Sequence, residues 1–105
     1  MAGELVALVT CPPEAAESLS AALVDGGLAA CANIVGSVLS VYRWEGEVQK
    51  EPESLLIIKT SQSVFEAFEA RVKELHPYDV PEIIAIPVER GSKEYLDWLN
   101  SSVLR

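Results

Sequence analysis

The single histidine of this chain, His76, stands in the segment His76-Pro77-Tyr78-Asp79-Val80-Pro81-Glu82, beside a phenol and two carboxylates. Imidazole and thiolate are ligands for Cu(I), Cu(II) and Zn(II). The chain's two cysteines, Cys11 and Cys31, complete the set of groups suited to such an ion. Cys11 precedes an expected helix start, where the helix N-terminus favours a thiolate. Cys31 falls in an apolar stretch and reads as a small core thiol. The chain has no C-x-x-C and no H-x-x-x-H, so no local spacing enforces a metal geometry. The expected metal ligands are therefore Cys11 and His76. A second constellation is Tyr42, Trp44, Lys59, Tyr78 and Glu82, with His76 among them. Gathered at a subunit cleft, these would hold a small anion. The competing reading is a Lys59–Glu82 ion pair among aromatic interface anchors. No nucleophile elbow, Gly-rich phosphate loop or metal-hydrolase spacing is present, so the expected role is not enzymatic.

Rigid elements must position these groups. Each proline of the His76–Glu82 segment fixes φ, removes a donor and pushes the preceding residue toward an extended conformation, which predicts a stiff presenting loop. Leu5–Thr10 is a continuous apolar run and predicts a central strand buried on both faces. Pro13 suits the first turn of a helix reaching about Asp25, with Ala15, Leu19, Ala22 and Leu23 on one face and Gly26-Gly27 as its left-handed cap. Ala29–Arg43 reads as a long strand bent at Gly36, and Val38, Ser40, Tyr42 and Trp44 share a face. Glu45-Gly46 is a hairpin turn. Glu47–Glu53 is charged and interrupted by Pro52, so the third strand is expected over Ser54–Thr60. Ser63 and Glu66 form a capping box ahead of a helix striped by Val64, Phe68, Val72 and Leu75. Glu82–Val88 is the last strand, and Ser92 caps a closing helix bearing Tyr95, Leu96, Trp98 and Leu99.

The order β-α-β-β-α-β plus a C-terminal helix predicts the α+β, ferredoxin-like (split βαβ) arrangement, an antiparallel sheet with two helices on one face. At 105 residues the chain is one domain, 1–105. A core this small and a hairpin this long favour oligomerisation through sheet edges. The net charge of −8 argues against a nucleic-acid partner. No apolar run reaches the roughly 18 residues of a spanning helix, so membrane insertion is not expected. The first residues carry no basic signal region, and two cysteines make no disulfide framework. The expected location is cytoplasmic, with both thiols reduced.

Several segments, taken together, resemble the CutA family of divalent-cation tolerance proteins. They are Thr10-Cys11-Pro12, Leu28-Ala29-Ala30-Cys31-Ala32-Asn33-Ile34, Tyr42-Arg43-Trp44-Glu45-Gly46, Ile58-Lys59-Thr60, His76-Pro77-Tyr78 with Pro81-Glu82, and Tyr95-Leu96 with Trp98-Leu99. The resemblance covers nearly the whole chain. It implies a ferredoxin-like homotrimer similar in architecture to PII signalling proteins, with a link to copper and other divalent cations and no cofactor needed for folding. In some members a cysteine at the end of the first strand and histidines just before the Pro-Tyr pair are proposed copper ligands. The matching positions here are Cys11 and His76, with Leu75 in place of a second histidine and Val9 where some members carry the cysteine. Two alternatives stand beside metal binding: a PII-like module taking a small anion at an inter-subunit cleft through Lys59, and a structural trimer with no specific ligand. No protein partner is implied.

Overall fold

The computed structural model describes residues 3–104. Strand β1 (Glu4–Cys11) leads through a short 3-10 turn (Pro13–Ala15) into helix α1 (Ala16–Asp25). Strands β2 (Cys31–Trp44) and β3 (Glu47–Ser61) form a long hairpin, and a second 3-10 turn (Gln62–Val64) opens helix α2 (Phe65–Leu75). Strand β4 (Ile83–Pro87) and helix α3 (Lys93–Ser101) follow. The sheet order is β2-β3-β1-β4 with every neighbouring pair antiparallel. The two apolar runs are the central pair, as expected.

Alternation along the strands builds the core. Leu5, Ala7, Val9 and Cys11 of β1 and Leu56, Ile58 and Thr60 of β3 point to one face, where they meet Leu19 and Leu23 of α1 and Phe68 and Val72 of α2. A smaller cluster, Ala30, Val64, Leu99 and Val103, seats α3. Gly27, at φ +73°, ends α1, and Leu28 donates back to the Leu23 carbonyl at 3.0 Å. That is the left-handed cap glycine permits.

Four expectations are corrected. First, β1 and β3 are not covered on both faces by this chain: the face opposite the helices carries half-buried Val6, Leu8, Leu55 and Ile57 and exposed Ile84 and Ile86. Second, β3 starts at Glu47 and Pro52 does not interrupt it. β1 pairs with β3 only from Ser54 onward, so before that point β3 has β2 alone as neighbour, and Pro52 is tolerated as on an edge strand. Third, Ser63 forms no capping box; no side chain caps α2, and the Ser63 hydroxyl pairs with that of Ser61 at 2.7 Å. Fourth, Leu75 leaves the buried stripe and is exposed.

The bend at Gly36 is a bulge: Val35 pairs with Leu55 and Val38 with Glu53, so Gly36 and Ser37 together oppose Ser54. The left-handed residue is Ser37, at φ +63°, not the glycine. The extra residue shifts the alternation. Cys31, Asn33 and Val35 before the bulge therefore share the open face with Val38, Ser40, Tyr42 and Trp44 after it. At the hairpin tip Glu45 and Gly46 both have positive φ, a two-residue turn of the kind that matches strand twist.

Candidate functional site

Beyond the end of β4 the sheet opens into a cleft of about 530 Å³ between the hairpin and the loop after α2. The bulge places Ser40, Tyr42 and Trp44 on its hairpin wall, and β3 adds Glu51 and Glu53. Tyr78, Asp79, Val80 and Glu82 form the loop wall, with Thr10 between the two walls.

Backbone demand fixes the loop wall. β4 pairs with β1 only as far as Val9, so the Thr10 carbonyl has no partner in β4. His76, 7% exposed, fills that role: Nε2 lies 2.7 Å from the Thr10 carbonyl oxygen. The Tyr78 amide donates to His76 Nδ1 at 3.1 Å. An amide can only donate, so Nδ1 is the acceptor and Nε2 is the donor toward Thr10. The Tyr78 ring stands 4.7 Å from the imidazole, and its hydroxyl donates to Glu53 Oε2 at 2.8 Å. Burial, then the hydrogen bond to Glu53, pushes the Tyr78 phenol far above its ordinary range. Tyr42 donates to Glu51 Oε1 at 2.8 Å, and that bond raises its phenol too. Thr10 Oγ1 donates to Glu82 Oε1 at 3.4 Å.

The expected residues therefore separate. Tyr42, Trp44, Tyr78 and Glu82 line one cleft; Lys59 does not. Lys59 pairs across from Val6, four positions along β3 from the Leu55 that faces Thr10, roughly 13 Å away at strand spacing. Its ammonium donates to Asn33 Oδ1. Among the described residues no lysine or arginine lines the cleft, and four carboxylates do, so its charge is opposite to what an anion requires. Cys11 is fully buried beneath the helices, and burial, then the fields of Glu53 and Glu14, pushes its thiol up. Both His76 nitrogens are engaged by backbone. Cys31 is only half-buried, with Sγ 3.7 Å from the Tyr95 hydroxyl, and Tyr95 and Trp98 are exposed on α3 with ring centroids 5.4 Å apart. Among the described residues, no three His, Cys, Asp or Glu side chains are grouped to hold a metal ion. Sequence reading missed Glu51, Glu53 and Asp79. The pairing of Glu53 with Val38 across the bulge is the signal that places it on the cleft face.

A split βαβ sheet with an open apolar face and an acidic, aromatic cleft at its end defines the class of protein. The family model described as CutA1 divalent ion tolerance protein matches residues 5–102. The chain belongs to the CutA1 family. It is 50% identical to the divalent-cation tolerance protein CutA of Thermus thermophilus, over 94% of this chain and 97% of that protein. The solved structure of that Thermus thermophilus protein superposes with a TM-score of 0.93, covering 95% of this chain and 98% of that one. The crystal structure of CutA1 from Oryza sativa gives 0.95 at 46% identity, covering 98% of this chain and 95% of that one. The chloroplastic protein CutA of Arabidopsis thaliana is 50% identical over 93% of this chain, which spans 54% of its length.

Proposed function

We propose that this chain serves divalent-cation tolerance as a cytoplasmic homotrimer that binds divalent metal, copper foremost, and catalyses no reaction. The observation that carries the reading is the charge of the cleft: Glu51, Glu53, Asp79 and Glu82 line it and, among the described residues, no base does. Carboxylate oxygens accept divalent ions, and Cu(II) heads the affinity order among first-row divalent metals. The residues fit an ion held by one or two carboxylates and water rather than a closed cage, because no three ligands are grouped among the described residues. The names of the relatives, divalent-cation tolerance protein and divalent ion tolerance protein, support the same role. Trimerisation is supported by the uncovered face of Val6, Leu8, Leu55, Ile57, Ile84 and Ile86. An apolar face of that kind is expected to be covered in an assembly.

Native mass spectrometry with added Cu(II) tests the proposal on the wild type, on Glu51→Gln/Glu53→Gln and on Cys11→Ala/His76→Gln. The expected result is a mass of three chains, copper uptake by the wild type and by the Cys11/His76 variant, and reduced uptake by the glutamate variant. Loss of uptake in the Cys11/His76 variant alone would return the site to the thiol and imidazole. A protein of any other stoichiometry, or one that takes up no copper, would overturn the reading.

A further inference from the structure

Helix α3 stands outside the main core. Of its nine residues only Leu99 is buried, and none belongs to the large cluster between the sheet and helices α1 and α2. Its apolar seat is the separate group of Ala30, Val64, Leu99 and Val103. A helix this short is marginal in water by itself, because isolated helices need about 12–15 residues. Docking must therefore hold it, and the docking contacts are few.

Among the described residues no ion pair joins α3 to another element; the Lys93–Asp97 pair lies within the helix. The side-chain bond that reaches across is Asn100 Nδ2 donating to Glu4 Oε2 of β1, at 2.6 Å. A weaker contact sets the Tyr95 hydroxyl 3.7 Å from Cys31 Sγ. After the helix, the Leu104 amide donates to the Gly27 carbonyl at 2.8 Å. Before it, the Val88 amide holds the Glu4 carbonyl at 3.0 Å, and Glu89, Arg90 and Gly91 are then exposed and form neither helix nor strand. Those three residues are a hinge between a fixed β4 and a movable α3.

Glu4 tilts the balance toward opening. It is 7% exposed, and besides Asn100 it accepts from the Gly3 amide at 3.2 Å. A carboxylate so far buried is costly to hold even when it is paired. Undocking α3 breaks the Asn100 bond but returns that charge to water, which offsets part of the lost contact.

We infer that α3 is a clasp that opens as a unit while the four-stranded sheet, α1 and α2 stay folded, with the Glu4–Asn100 bond as its catch. Opening bares Ala30 and Val64 and lifts the Tyr95 hydroxyl from the half-buried Cys31 thiol.

Native-state hydrogen exchange in low urea, on the protein in its native assembly, tests the clasp. The amides of Asp97, Trp98 and Leu99 are expected to share one opening with little urea dependence. Corrected for intrinsic rates, they should exchange at least about tenfold faster than those of Ala7, Leu8 and Val72. Asn100→Ala is expected to speed the α3 amides about tenfold more and to leave those of β1 and α2 unchanged. Asn100→Asp sets a second carboxylate against Glu4 and should speed them at least as much. The wild-type comparison decides the matter even where a variant does not fold. Protection of α3 equal to that of β1, with the same urea slope, would show that the helix leaves only in global unfolding and would overturn the inference. So would fraying, with Leu99 fast and Asp97 slow, or an Asn100→Ala effect spread evenly over all elements.

Discussion

His76→Phe removes both ring nitrogens and keeps a planar ring in the same space. The substitution leaves the Thr10 carbonyl and the Tyr78 amide without the partners that lie at 2.7 and 3.1 Å in the native protein. A net hydrogen bond is worth about 1 kcal/mol, and a buried group left unpaired costs about 1–3 kcal/mol. His76 is 7% exposed, so water reaches the vacated groups poorly, and the loss should total about 2–4 kcal/mol. That is a large share of a typical stability of about 5–15 kcal/mol. Urea unfolding at fixed chain concentration should show the midpoint falling with the slope unchanged. Hydrogen exchange should show the Tyr78 amide losing its protection. His76→Gln can still donate to the Thr10 carbonyl and should recover about half of the loss. A phenylalanine variant within about 0.5 kcal/mol of wild type, with the Tyr78 amide still protected, would refute the assignment of His76 as a backbone clamp. So would copper uptake that falls in step with the loss of the imidazole in a still-folded variant.

Three further outcomes are expected. Ser37→Gly should stabilise the protein by about 1 kcal/mol in chemical unfolding, because Ser37 holds φ +63° and glycine adopts that conformation without a Cβ penalty. Glu4 accepts from Asn100 of α3 at 2.6 Å; that bond, then local backbone N–H groups, lowers its pKa. Its contribution is therefore complete above the unfolded value of about 4.3 and lost as pH falls through the lower folded value, so Glu4→Gln should flatten acid unfolding followed by Trp98 fluorescence. All three tyrosines are raised: Tyr42 first by its bond to Glu51, Tyr78 first by burial, and Tyr95 first by burial. The fold favours the neutral phenols, so this stability is complete below about pH 10 and is lost as pH climbs through the raised values. Phenolate absorbance of the folded protein should lag that of the urea-unfolded chain, and Tyr78→Phe should remove the slowest phase.

Periodicity carried the fold because it is a local signal. Leu5–Thr10, the Leu19/Leu23 face, the Phe68/Val72 stripe and the Glu45-Gly46 turn each announce an element within a few residues. Glu47–Glu53 did not, because charge and Pro52 describe an exposed loop as well as an unpaired strand edge, and only the register against β2 separates the two. The capping box failed for a similar reason: Ser63 has the right spacing to Glu66, but a 3-10 turn occupies Gln62–Val64 and turns its hydroxyl to Ser61. At the site, Tyr42, Trp44, Tyr78 and Glu82 were legible as one group. Lys59 was misplaced because residue types give no distance along a strand. Glu53 was hidden because a glutamate in a charged run gives no sign that it will be buried.

The bulge at Gly36 and Ser37 acts as a frame marker for the hairpin. β3 is regular opposite it, so Val35 and Val38, three positions apart in β2, present the same face. An in-frame loss of the single codon for Gly36 would leave Ser37 alone opposite Ser54 and keep Val38–Glu53 and every later pair, so Tyr42 and Trp44 would stay on the cleft face. Loss of the codon for Leu39 instead would turn both rings to the far side of the sheet wherever the Val38–Glu53 pair is kept. A one-residue shortening of this hairpin is absorbed at the bulge and severe just beyond it.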